Sequence, residues 1–89
     1  MKEKKMKLVV KQSTCDFYKP GDEIFIDGPV LDAKTKVPVC LTAVNAIYPF
    51  LYAARKGVTV EQMGFSEMTF QCPDCEENVQ FTIESYEEE

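Results

Sequence analysis

One run, PVCLTAVNAIYPFLYAARKG from Pro38 to Gly57, is the only stretch long and apolar enough to organise this 89-residue chain. Cys40, Val44, Ile47, Leu51 and Ala54 recur at spacings of three and four, and Ala43 and Phe50 widen the same side. Thr42, Asn45, Pro49, Tyr52 and Lys56 fall on the opposite side. The spacing predicts a helix from about Cys40 to Lys56. Pro38 suits a first helical position, where a missing N–H costs nothing, and Gly57 can take the left-handed conformation that closes the last turn. Arg55 and Lys56 sit where the helix dipole favours cations. Pro49 is the irregularity: it offers no N–H to the Asn45 carbonyl and its ring crowds that group, so a kink, or two shorter helices meeting near Tyr48, is expected.

The segments around this helix alternate as strands do. Met6, Leu8 and Val10 share one side of residues 5 to 12, with the lysines on the other. Lys19-Pro20-Gly21-Asp22 is a turn signal, because proline sets the entry torsion and glycine accepts a positive one. Residues 23 to 27 read as a second strand whose Ile24 and Ile26 face one way, while Phe25 faces the other and needs a cover. Gly28-Pro29 ends it, and Asp32 to Lys36 is a polar loop. Beyond Gly57, Thr59 and Gln62 have capping-box spacing, with Val58 placed as a hydrophobic staple and Gly64 as a stop. Residues 67 to 72 and 79 to 84 then form a hairpin, turning at Pro73-Asp74 with Asn78 on its return. The expected fold is α+β: a small four-stranded antiparallel or mixed sheet with one main helix on one face, in the order ββαββ. It forms a single domain over residues 1–89, with frayed charged ends at 1–4 and 85–89. Phe17, Phe25, Tyr48, Phe50, Tyr52, Phe65, Phe70 and Phe81 are read as packing, since a small core without tryptophan needs large side chains.

Charge and residue usage exclude several kinds of function. A net charge of −5 opposes nucleic acid and anionic membranes at long range. Lys2, Lys4, Lys5, Lys7 and Lys11 read as the solvent side of an edge strand lying beside the acidic end, Glu84 and Glu87 to Glu89, rather than as a nucleic-acid arm. No apolar run approaches the ~20 residues that cross a bilayer, and the basic start turns polar again at Lys11 before any leader-like core, so a cytoplasmic location without membrane attachment is expected. The absence of histidine removes Ser-His-Asp and Cys-His pairs. Asp16, Asp22, Asp27 and Asp32 lack a spacing that separates an acid from a base, and Gly57 and Gly64 do not make a phosphate loop. Catalysis is therefore not the favoured expectation.

The four cysteines carry what chemistry the sequence offers. Cys72-Pro-Asp-Cys75 places two thiols two residues apart at a tight turn, a spacing that lets both bind one metal ion. Cys15 follows the first strand and Cys40 opens the helix, so loops at one end of the sheet could bring all four together. Four sulfurs would suit zinc, or less readily iron, and would close loops that a small core holds poorly. Asp74, Glu76 and Glu77 oppose the negative charge of such a site. Ordinary thiols with no cofactor, and thiol–disulfide chemistry at the Cys72/Cys75 pair, remain open alternatives.

Cys15 shortly before Pro20-Gly21-Asp22, then Cys40-Leu-Thr-Ala-Val-Asn-Ala-Ile-Tyr-Pro49, then Cys72-Pro-Asp74 with Val79-x-Phe81-x-Ile83, resembles a family of small prokaryotic proteins of similar length that has no assigned activity. The likeness runs from Val9 to Ile83. It implies one intact domain and family cysteines at Cys15, Cys40 and Cys72, with Cys75 an addition. Other members often carry Gly-His near Phe17-Tyr18 or Tyr18-Lys19, and a glycine-rich segment where this chain keeps only Gly57. The combined expectation is a small accessory or partner-binding protein of unknown partner and oligomeric state, with a structural metal site at Cys15, Cys40, Cys72 and Cys75. A weak thiol-redox or metal-dependent enzyme using Cys72 and Cys75 is the alternative.

Overall fold

The computed structural model describes residues 5–73 and 79–86. The described elements are β1 (Lys5–Ser13), β2 (Glu23–Asp27), β3 (Val30–Leu31), α1 (Leu41–Arg55), β4 (Thr69–Gln71) and β5 (Val79–Tyr86). They form a small α+β domain, a five-stranded sheet in the order β3-β2-β1-β5-β4 with every pairing antiparallel and α1 packed on one face. The sheet has one strand more than the alternation indicates: β3 is two residues long and both are exposed, so it carries no pattern to read. Its pairs, Ile26 with Leu31 and Asp27 with Val30, fold back across the Gly28-Pro29 turn.

The lysine-rich strand β1 is the centre of the sheet and not the edge expected from its charge. Its buried side holds Met6, Leu8 and Val10; Ile24 and Ile26 of β2 and Val79, Phe81 and Ile83 of β5 extend the same surface. On its open side Lys5 and Lys7 pair with Asp27 and Glu23 of β2, and Lys7 lies opposite Glu84 of β5. Cross-strand ion pairs let a central strand carry charge on its solvent face. Phe25 finds the cover it needs there, edge-on to Tyr86 at 5.0 Å between ring centres. The Lys34 ammonium sits 4.5 Å from the Phe25 ring centre and 4.4 Å from that of Tyr86. The Tyr86 hydroxyl donates to Asp32 at 2.8 Å, so β5 is held through Tyr86, two residues beyond the end expected at Glu84.

Helix α1 runs unbroken through Pro49, as one element and not two shorter helices meeting at Tyr48. Proline's missing N–H falls on the exposed side, where the Asn45 carbonyl can be hydrated. Ala43, Ile47, Leu51 and Ala54 are buried against the sheet, with Val44, Tyr48 and Phe50 packed at the margin. The helix ends as its Gly57 suggests: Gly57 has φ +96°, its N–H donates to the Ala54 carbonyl, and the Val58 N–H donates to that of Ala53. These two bonds make a Schellman closure. At the other end Cys40 is the N-cap and Leu41 the first helical residue, so Pro38 lies in the approach and not inside the helix.

The capping box also forms, with the Thr59 N–H donating to Gln62 Oε1 at 2.8 Å and the Gln62 N–H to Thr59 Oγ1 at 3.2 Å. It closes one turn that delivers Phe65 to Phe50 and Phe70, and the rings of Phe50 and Phe70 stack at 4.6 Å. The expected hairpin turn at Pro73-Asp74 and Asn78 and the expected fraying at 1–4 and 85–89 fall wholly or partly outside the described residues, but Ser85 and Tyr86 are described and complete β5 instead of fraying.

Candidate functional site

Sheet topology decides which cysteines meet. β1 and β4 both run antiparallel to β5, so the end of β1, the end of β4 and the start of β5 share one end of the sheet. A bulge at Lys11 shifts the ladder so that Ser13 stands opposite Val79. Extra residues of this kind bend a strand and re-aim the chain beyond the bend. The Cys15 N–H donates to Ser13 Oγ at 3.0 Å, the Ser13 hydroxyl donates back to the Cys15 carbonyl at 3.1 Å, and the Tyr18 N–H reaches the same carbonyl. Three short bonds thus hold Cys15 at that end of the sheet.

Cys72 arrives from β4. Its N–H donates to the Val79 carbonyl at 2.8 Å, one step beyond the Phe70–Phe81 and Gln71–Gln80 pairs, and its side chain is buried on the helix-facing side. Cys40 comes from above, as the N-cap of α1, where the first turn contains no acidic residue. The start of a helix presents unsatisfied N–H groups and the positive end of its dipole, a setting that favours an anionic ligand.

Cys15, Cys40 and Cys72 line one recess of about 100 Å³, together with Tyr18, Phe17, Thr42, Ala43 and Val79. The space equals that of a few water molecules at ~30 Å³ each. No Asp, Glu, Lys or Arg is among these described lining residues. The sequence therefore brings three of its four candidate ligands to one place; the fourth, Cys75, lies outside the described residues, as do Asp74, Glu76 and Glu77. Among the described residues no three His, Cys, Asp or Glu side chains already stand in the arrangement that holds a metal ion.

Tyr18 is the member of the recess that sequence reasoning missed. It is 4% exposed, its ring meets Phe81 edge-on at 5.5 Å, and its hydroxyl oxygen accepts the Cys40 N–H at 2.8 Å. A side chain from the loop after β1 thereby takes the place of a capping side chain at the helix start. Burial pushes the Tyr18 phenol above its ordinary value; the Cys40 N–H bond works the other way, and negative charge at Cys40, Cys15 or Cys72 adds to the rise. Tyr18 thus stands beside all three cysteines of the recess. The only sequence hint was its position three residues after Cys15, across a tight turn.

A wider, open groove lies on the exposed side of α1, lined by Leu41, Thr42, Val44, Asn45, Ala46, Tyr48, Pro49 and Pro73. It adjoins the cysteine recess through Thr42 and the Cys72-Pro73 step. No helix among the described residues is long and apolar enough to cross a membrane. No family model, no curated protein and no solved structure matches the chain, so its function rests on its own residues.

Proposed function

We propose that this chain is a small accessory domain that binds a protein partner, and that a thiophilic metal ion, zinc before iron, ties one end of its sheet to the start of its helix through Cys15, Cys40, Cys72 and Cys75. The observation that carries the reading is the shared recess of Cys15, Cys40 and Cys72, three thiols from three separate elements. Closing it with a metal would fasten the loop after β1, the helix start and the end of β4 at once. The helix start offsets part of the negative charge of a four-thiolate site, and the absence of histidine leaves cysteine as the soft ligand available.

Elemental analysis combined with thiol titration tests this. Protein isolated under reducing conditions should hold one zinc per chain, and its four thiols should react with a chromogenic disulfide only after a chelator is added. Cobalt in place of zinc should give the sulfur-to-metal absorption and ligand-field bands of a tetrahedral thiolate site. Cys40→Ser should weaken both signals. Protein that neither carries zinc nor takes it up overturns the metal reading, and one thiol reacting much faster than the rest in metal-free protein would point instead to thiol–disulfide chemistry at Cys72 and Cys75.

A further inference from the structure

Tyr18 has a hydrogen-bonding capacity that the fold leaves half used. A phenol accepts through its oxygen and donates through its proton. The Tyr18 oxygen takes the Cys40 N–H at 2.8 Å, and among the described residues no acceptor takes the proton. The residue is 4% exposed, and a polar group so buried ordinarily has a partner for each of its strong bonds. Its hydroxyl sits against the backbone of Cys40, in the wall of the recess shared with Cys15 and Cys72. Of the other described lining residues only Thr42 carries a hydroxyl, and Thr42 is exposed.

We infer that Tyr18 donates this proton in a hydrogen bond to a metal-bound sulfur, so that one hydroxyl both fixes the backbone of Cys40 and neutralises part of the cluster's charge. The inference rests on the metal reading and adds a positioning residue to it. Four thiolates on a divalent ion leave a net negative charge, and a thiolate sulfur keeps lone pairs that accept hydrogen bonds. No Lys or Arg is among the described lining residues to balance that charge. The work falls to neutral donors, the N–H groups of the helix start and the Tyr18 proton. Hydrogen bonds to an ionised acceptor are roughly twice as strong as neutral ones. Tyr18 is also fixed in advance, its ring edge-on to Phe81 at 5.5 Å and its oxygen on the Cys40 N–H. Gathering the sulfurs around an ion brings acceptors to a donor already in place.

Cobalt and zinc binding to the full chain under reducing conditions test it. Loss of a donor raises the energy of the sulfur lone pairs, so in Tyr18→Phe the sulfur-to-cobalt absorption should move to lower energy. Zinc should bind that variant about 10-fold to 100-fold more weakly in competition with a chelator. Tyr86→Phe removes a hydroxyl bonded to Asp32 at 2.8 Å, away from the recess, and should leave the absorption where it is. A third reading needs no variant: in wild-type protein loaded with cadmium-113, the Tyr18 hydroxyl proton should exchange slowly and show scalar coupling to the metal through sulfur. An unmoved absorption in Tyr18→Phe, an equal movement in Tyr86→Phe, or a Tyr18 proton without coupling to cadmium overturns the inference and leaves the metal reading standing. A chain that takes up none of the three metals overturns both.

Discussion

Leu51 sits 2% exposed on the third helical turn facing the sheet, so its removal leaves a space that neither helix nor strands can collapse into. Leu51→Ala should cost about 2–4 kcal/mol in chemical denaturation, and a loss under about 0.5 kcal/mol would place Leu51 outside the core. Tyr18 acts differently, through one atom. Tyr18→Phe keeps the ring against Phe81 but leaves the Cys40 N–H without its acceptor, at a cost of about 1–2 kcal/mol. The same residue sets an alkaline limit. Because its phenol ionises later in the folded chain than in the unfolded one, the unfolded chain releases its proton first as pH rises past about 10, and stability falls from there until the folded phenol also ionises. Tyr18→Phe should remove that part of the decline in denaturation midpoints measured between about pH 9 and about pH 12, and an unchanged decline would show that Tyr18 is not responsible. Leu51 was legible because helical spacing alone marks it. Tyr18 was not, since its burial depends on Phe81 and on the backbone of Cys40, both distant in sequence.

Elements with a repeating pattern or a specific stop were readable. β2 was recognised at both ends, and α1 within a residue of each, from apolar spacing and Gly57; the capping box was visible as a pair of polar residues at the right interval. What escaped is what carries no period: the two-residue β3, and the bulge at Lys11 that delivers Cys15 to the recess. Pro49 was legible as a defect, but its effect depended on facing. On the buried side an unmatched carbonyl would have been severe; on the exposed side water accommodates it and the helix continues. Pro49→Ala restores the N–H without disturbing the core, and should raise stability by about 1–3 kcal/mol in chemical denaturation. No gain would mean that the ring makes a stabilising contact equal to the lost hydrogen bond.

At the scale of the molecule, alternation indicated the fold class and left the strand order open, because each strand's apolar face is equally satisfied beside any neighbour. The convergence of Cys15, Cys40 and Cys72 rests on that order: with β1 next to β5 and β5 next to β4, three element ends coincide. The same order has a consequence for the chain during its synthesis. β1 is made before every other strand of the sheet, yet its partner β5 begins only at Val79 and provides one whole flank of the central ladder. A nascent chain reaching Pro73 can pair β1 with β2 and form α1, but it leaves Phe81 and Ile83 missing from beneath the helix and one edge of β1 open. A chain ended at Pro73 should therefore lack cooperative unfolding by circular dichroism and be prone to aggregate; a cooperative transition would show that β5 is dispensable. Until residues 79–86 have been made, Met6, Leu8 and Val10 keep only the cover that β2 and α1 give them, so the sheet is completed from its β5 side last.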